Sequence, residues 1–270
     1  MLRFFRQIRQ NSISENKFRK YFLYVTGEII IVIVGILIAL QVDNWNTQRQ
    51  GRAEARVFMI RLKNEFQDNR DQMAQKIEMR QDALKSAREL LRIVDTQAEN
   101  TTRAEVDSLL AIALPVYTFD PSQGVLNQLT STDKLTLFRN EALNNKLSAW
   151  TSMIEDIKGD ENMYNSYNHN HFRPFLYNNY NGRNVINSRI RNKVINPILL
   201  SSSESVNTEI GYSGKPVALD VLLTSIAFEN YLAFCISWLS LINTQSQGVI
   251  NYIDEVLQII DEELEYAVKQ

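Results

Sequence analysis

This sequence predicts an all-α protein, with an N-terminal transmembrane helix followed by an elongated antiparallel helical bundle. Three observations predict it. From Tyr21 to Val42 the chain reads YFLYVTGEIIIVIVGILIALQV, about the twenty predominantly apolar residues that a helix needs to cross hydrocarbon. Nine Gly and five Pro among 270 residues leave few breaks, and the recurrence of Leu, Ile, Asn, Gln, Glu and Arg favours helices with few tight turns. Beyond the apolar run, Phe58, Leu62, Phe66, Met73, Ile77, Leu84, Leu91 and Val94 recur at helical intervals, the signature of an amphipathic helix.

Residues 1–20 read as a basic cytoplasmic tail, 21–42 as the span and 43–270 as an exported domain. In the tail Arg3, Arg6, Arg9, Lys17, Arg19 and Lys20 face only Glu15, and such an excess of cations keeps a short tail on the cytoplasmic side. Arg49, Arg52, Arg56 and Arg61 oppose this from the far side but stand further from the lipid. A removable signal peptide ends in small residues of the A-x-A type. Here Ala39-Leu40-Gln41-Val42 follows instead, so a retained signal anchor is expected. Trp45 suits the outer interface, where an amphipathic indole is favoured. Phe4, Phe5 and Ile8 share one helical face opposite the arginines, which fits either a short helix on anionic lipid or a disordered basic tail.

Glu28 opens the most apolar stretch. If hydrocarbon began at Ile29, the run to Val42 would measure roughly 21 Å, short of the roughly 30 Å required. The carboxyl therefore belongs inside the cytoplasmic leaflet, where it is tolerable if protonated or bonded. Gly35 lies seven residues on, on nearly the same face. Ala39 completes a small-xxx-small pair with it, and Tyr24 stands one turn before. Tyr24, Glu28, Gly35 and Ala39 are thus the candidate contact of the span with a second copy or another membrane protein. The alternative is that Glu28 reaches to headgroups and the small residues are ordinary span residues.

No proline interrupts residues 52–114, so one long helix is expected, continuous with the span unless Gly51 breaks it. Thr102 and Glu105 form a capping box for a helix from Arg103 to Leu114. Asp120-Pro121 is a helix-start signal, with a short helix expected over Gln123–Leu129. Asn140 can cap a helix whose Leu143, Leu147, Trp150, Ile154 and Ile157 share one face and which continues toward Tyr180. Residues 181–217, with Gly182, Pro197, Ser201-Ser202-Ser203, Gly211, Gly214 and Pro216, read as a long connection that has room for a short strand. From Ala218 the pattern is helical, and Ile250, Ile253, Leu257, Ile260 and Leu264 fall in heptad-like spacing that suits a coiled coil.

The stretch from Val221 to Ile242 has the length of a second span. Thr224, Ser225, Glu229, Asn230, Ser237 and Ser240 interrupt it, and no basic cluster flanks it. A helix buried in a bundle is the expected reading.

The block MLRFFRQIRQNSISENKFRKYFLYVTGEIIIVIVGILIALQVDNWN, with YTFDPSQGVLNQLTSTDKLTLFRNEALNNKLSAW further on, resembles an uncharacterised family of single-span membrane proteins abundant in Bacteroidetes and known only as a domain of unknown function. The resemblance implies an N-terminal anchor and a helical domain exported to the periplasm, and it brings no catalytic residue, cofactor or substrate. Family members often carry Ser-Gly where this chain reads Thr132-Asp133.

The net charge of −2 includes no basic stripe with interleaved aromatics after the span, so nucleic acid is not an expected partner. His169 and His171 in N-H-N-H are two apart. On a helix they diverge by about 200°, and no H-E-x-x-H or cysteine set accompanies them, so no metal site is expected. Cys235 is the only cysteine and sits among Phe234, Ile236 and Trp238, as a buried residue would. No nucleophile elbow, P-loop or dinucleotide fingerprint occurs, so neither catalytic residues nor cofactors are assigned. Acidic pairs such as Glu155-Asp156 and Asp261-Glu262 suit solvated helix faces. Tyr117-Thr118-Phe119-Asp120-Pro121 is either a functional surface or a hinge whose aromatics staple two helices.

The function expected from the sequence is a membrane-anchored periplasmic interaction or scaffold protein without catalytic activity. The rival is a sensory bundle that binds a small ligand and signals through a membrane partner. A closed pocket with convergent polar groups would favour the sensor. An exposed groove or apolar patch would favour the interaction module.

Overall fold

A computed structural model describes residues 18–97, 100–191, 210–215 and 218–268. The basic tail up to Lys17, with Phe4, Phe5 and Ile8, lies outside the described residues, as do 192–209 and 216–217 of the expected connection and any strand there. The protein is all-α: no strand occurs among the described residues. The chain divides into two compact units, Met1–Phe58 and Met59–Gln270, and one helix, α1 (Phe18–Thr96), belongs to both.

Gly51 does not break α1. A single glycine costs about 1 kcal/mol in a helix interior, too little to interrupt a run of good helix formers on either side. In the first unit α1 carries the apolar window, which has a mean hydropathy of 2.5 and no buried residue. Thr26 Oγ1 donates to the carbonyl of Phe22 at 2.8 Å, which satisfies the hydroxyl within the helix itself. Arg49 lies over the Trp45 ring, 5.8 Å from its centroid.

The second unit is built on α1 from Met59, α4 (Glu141–Tyr167) and α8 (Ile226–Val268). Lys63 pairs with Asp261 and Arg70 with Asp254, while Asn243 donates to Ile77, so α8 runs antiparallel to α1. It also runs antiparallel to α4, since Tyr252 donates to Lys146 and Trp238 to Asp160. The expected α4 face is buried as read, from Leu143 through Ile157, and Asn140 Oδ1 accepts from Leu143 N at 3.1 Å. Trp150 packs on Phe66 with ring centroids 4.9 Å apart. Ile250, Ile253, Val256 and Ile260 of α8 are buried within this unit.

The shorter elements depart from expectation in instructive ways. α2 (Arg103–Ala113) starts where the capping box puts it, with Thr102 accepting from Glu105 N. α3 (Gly124–Ser131) begins three residues after Pro121, because Asp120 does not cap it and no local side chain does. Its first amides are served from a distance, as described below. A 3₁₀ turn (Lys134–Leu137) follows Asp133, which sits at φ 55 and ψ 24. This is the left-handed conformation that glycine adopts freely and that aspartate tolerates better than most residues.

The expected continuation of α4 runs through a π turn (Asn168–Phe172) into α5 (Arg173–Asn179). The long connection is shorter than read, since α6 (Gly182–Arg191) occupies ten of its residues. Val185 and Ile190 are buried on it while Ile186 is exposed, and three apolar residues in a polar decapeptide were read as part of the connection. α7 (Leu219–Leu223) is separated from α8 by Thr224 and Ser225, a break the sequence reading did not place.

The stretch expected to be bundle core buries Leu222, Phe228, Tyr231, Leu232, Cys235, Leu239 and Ile242. α8 nonetheless passes the length and composition test for a span, with a mean hydropathy of 1.2. A third of its window is buried, against none for α1.

Candidate functional site

Residues 115–122 form a strap outside any helix whose burial alternates over 115–119, with Pro115, Tyr117 and Phe119 buried. Having no sheet to join, the strap must find partners for its backbone elsewhere. It finds them in helix side chains. Asn69 Oδ1 accepts from Ser122 N and its Nδ2 donates to Ser122 O, both at 2.8 Å. One turn further, Gln72 Oε1 accepts from Asp120 N at 2.9 Å and Nε2 donates to Asp120 O at 3.1 Å. Each amide thus takes both backbone groups of one residue, as a neighbouring strand would. Glu65, on the same side of α1, accepts from Val125 N at 2.8 Å and Leu126 N at 3.2 Å. It supplies the missing N-terminal cap of α3 from another helix.

At the inner end of the strap lies a buried ion pair. Arg80 is 1% exposed and Glu161 2%. The Arg80 guanidinium donates to Tyr117 O through Nε and Nη2, to Ser246 Oγ at 2.7 Å and to Glu161. The second carboxylate oxygen of Glu161 accepts from Phe119 N at 2.9 Å. Burial pushes the Glu161 carboxyl up, while Arg80 and the Phe119 amide pull it down by less. In the segment 117–121 Tyr117 and Phe119 are buried, and its backbone is held by side chains of α1 and α4.

A second carboxylate, Asp107 of α2, is 4% exposed and its Oδ1 has no hydrogen-bond partner. Burial raises its pKa, opposed by Tyr180 and Arg103. A raised folded pKa means that the contribution to stability is fully present below the ordinary carboxylate value of 3.8 and is lost as pH rises through the folded value. The stability gained by Asp107→Asn over the natural protein is accordingly expected to grow from about pH 4 to neutrality. Paired unfolding curves at several pH values measure this, and a pH-independent difference would contradict it.

Of the residues singled out from the sequence, Tyr24, Glu28, Gly35 and Ala39 fall within about 60° of one another around α1. All four are exposed, and a Cβ added at Gly35 would meet nothing within 4 Å. His169 and His171 are exposed on the π turn, with His171 against the Tyr167 ring. Among the described residues no group of His, Cys, Asp or Glu is placed to hold a metal ion. Cys235 is fully buried, its Sγ 3.1 Å from the Tyr164 hydroxyl.

Comparison with known proteins bears on the anchor and the strap together. Residues 28–149 match the model of a family of unknown function, DUF6090. No curated protein and no solved structure matches the chain. The DUF6090 match begins at Glu28 and takes in Gly35, Ala39, all of the polar stripe Glu65, Asn69, Gln72 and Arg80, and the strap. It stops before Glu161 and Ser246, the partners that complete the buried network. The resemblance read from the sequence was likewise to a domain of unknown function.

Sequence reasoning missed this network, although a signal existed. Asn69 and Arg80 occupy the helical register of Leu62, Phe66, Met73 and Leu84, and Glu161 continues the register of Ile154 and Ile157. A polar residue at a core position marks a buried partner.

Proposed function

We propose that the protein is a membrane-anchored, non-catalytic interaction or scaffold module. Its tail lies in the cytoplasm, its bundle in the periplasm, and its span contacts a second copy or another membrane protein. The observation that carries this reading is the wholly exposed apolar window of α1, in a helix that continues without a break into the bundle. The buried pair Arg80 and Glu161 supports it, being engaged in holding the strap. The sensory alternative calls for a closed pocket, whereas the concavity between α1 and α8 is an open groove, and this favours the interaction reading.

Two measurements test it. A reporter fused at the C-terminus should be active only outside the cytoplasm, and activity confined to the cytosol would reject the topology. In a span association assay, Glu28→Leu and Gly35→Ile should each lower association at least several-fold, since a bulky side chain at Gly35 separates the backbones and leucine removes the hydrogen-bonding group. Unchanged association in both would remove the span contact while leaving the anchor.

A further inference from the structure

The strap is not the only non-helical segment held by helix amides. On α6, Asn187 Oδ1 accepts from Ile210 N at 3.0 Å and its Nδ2 donates to Gly211 O. Asn184 Oδ1 accepts from Ser213 N at 2.9 Å. Gly211 stands at φ 71, the left-handed region that favours glycine. Twice, then, this chain fixes a non-helical backbone segment by presenting Asn or Gln side chains from a helix, whose amides can both donate and accept.

A third surface carries the same chemistry. Between the antiparallel α1 and α8 runs an open groove of about 630 Å³. Ile77 and Leu84 line it with Gln81, Asn243, Gln247 and Asn251, and Arg88 lies at one end of the α1 row. Gln247 Nε2 donates to Asn251 Oδ1 at 3.2 Å, which leaves the Gln247 oxygen as an acceptor and the Asn251 amide as a donor. Asn243 donates to Ile77 O, and its Oδ1 is shielded from solvent without a partner. Gln81 and Arg88 are exposed and have no partner among the described residues. From Ile77 to Arg88 the helix rises about 16 Å, the length of about five extended residues.

We propose that this groove binds an extended, acid-bearing peptide segment of another protein, with the groove amides taking its backbone and Arg88 its carboxylate. An unpaired guanidinium favours a carboxylate by its fork of donors, and strand-like recognition through backbone groups is an established mode of peptide binding. The proposal rests on the interaction reading above and names the chemistry of the partner.

The test pans a displayed random dodecapeptide library on the full chain in lipid nanodiscs. Enrichment of peptides carrying Asp or Glu is expected. Their binding should fall about tenfold in Arg88→Gln and disappear in the double variant Gln81→Leu, Gln247→Leu. Both variants should keep the natural melting temperature because all three side chains are exposed. No enrichment over empty nanodiscs, or peptides that bind the variants equally well, would overturn the proposal. So would a dimer that the double variant turns into a monomer, since the occupant would then be a second copy. Span association, measured on the same samples, is independent of the groove, so failure here is distinguishable from failure of the interaction reading.

Discussion

Arg80→Met is expected to destabilise the protein by about 3–5 kcal/mol, the cost of leaving one partner of a buried ion pair without the other. The substitution keeps the volume and removes four donated bonds. Glu161 would retain only the Phe119 amide, and the Tyr117 carbonyl would lose both of its donors. Adding Glu161→Gln should recover at least half of the loss, because a neutral amide oxygen still accepts from Phe119 while no charge remains buried. The single variant should also become acid-stabilised. Burial already pushes Glu161 up and Arg80 is the leading group that opposes it. Without Arg80 the folded pKa rises further, so the stability present below 4.5 is lost as pH climbs through the new value. Urea unfolding of the purified protein in detergent, at acidic and neutral pH, measures all three. A loss below about 1 kcal/mol would mean that water reaches the pair.

Trp150→Ala should cost a comparable 3–5 kcal/mol for a different reason. The indole is 1% exposed, packed on Phe66 and stacked near Tyr252 at a centroid distance of 6.2 Å. Its removal opens a cavity that α1, α4 and α8 cannot all close. Trp150→Phe should cost less than half as much. The unfolding midpoint should move while its denaturant dependence stays constant, and a changed slope would indicate a loosened native state instead.

The two residues divide what could be read in advance from what could not. Trp150 was legible because it belongs to a stripe of five apolar residues at helical spacing, and burial of such a stripe depends on local periodicity alone. Asn140 as a cap and Thr102 before α2 were legible for the same reason, since a cap acts within four residues of itself. Arg80 and Glu161 were not. Their places in the apolar register signal that they are buried, but only the packing of three helices around a strap shows which charge meets which. Asp120 misled because its signal is local, whereas the amides of α3 are capped by Glu65 from another helix.

By itself, then, the sequence determined the helical class, the apolar window with Glu28 near its start, and the register of the longest helices. These follow from periodicity and hydrophobicity within a few turns of chain. Only the tertiary structure decided where the strap lies, which amides hold it, and that a further amide-lined groove runs between α1 and α8. Hydrogen bonds between residues 37 or more positions apart depend on how the helices cross and pair, and no local pattern records that.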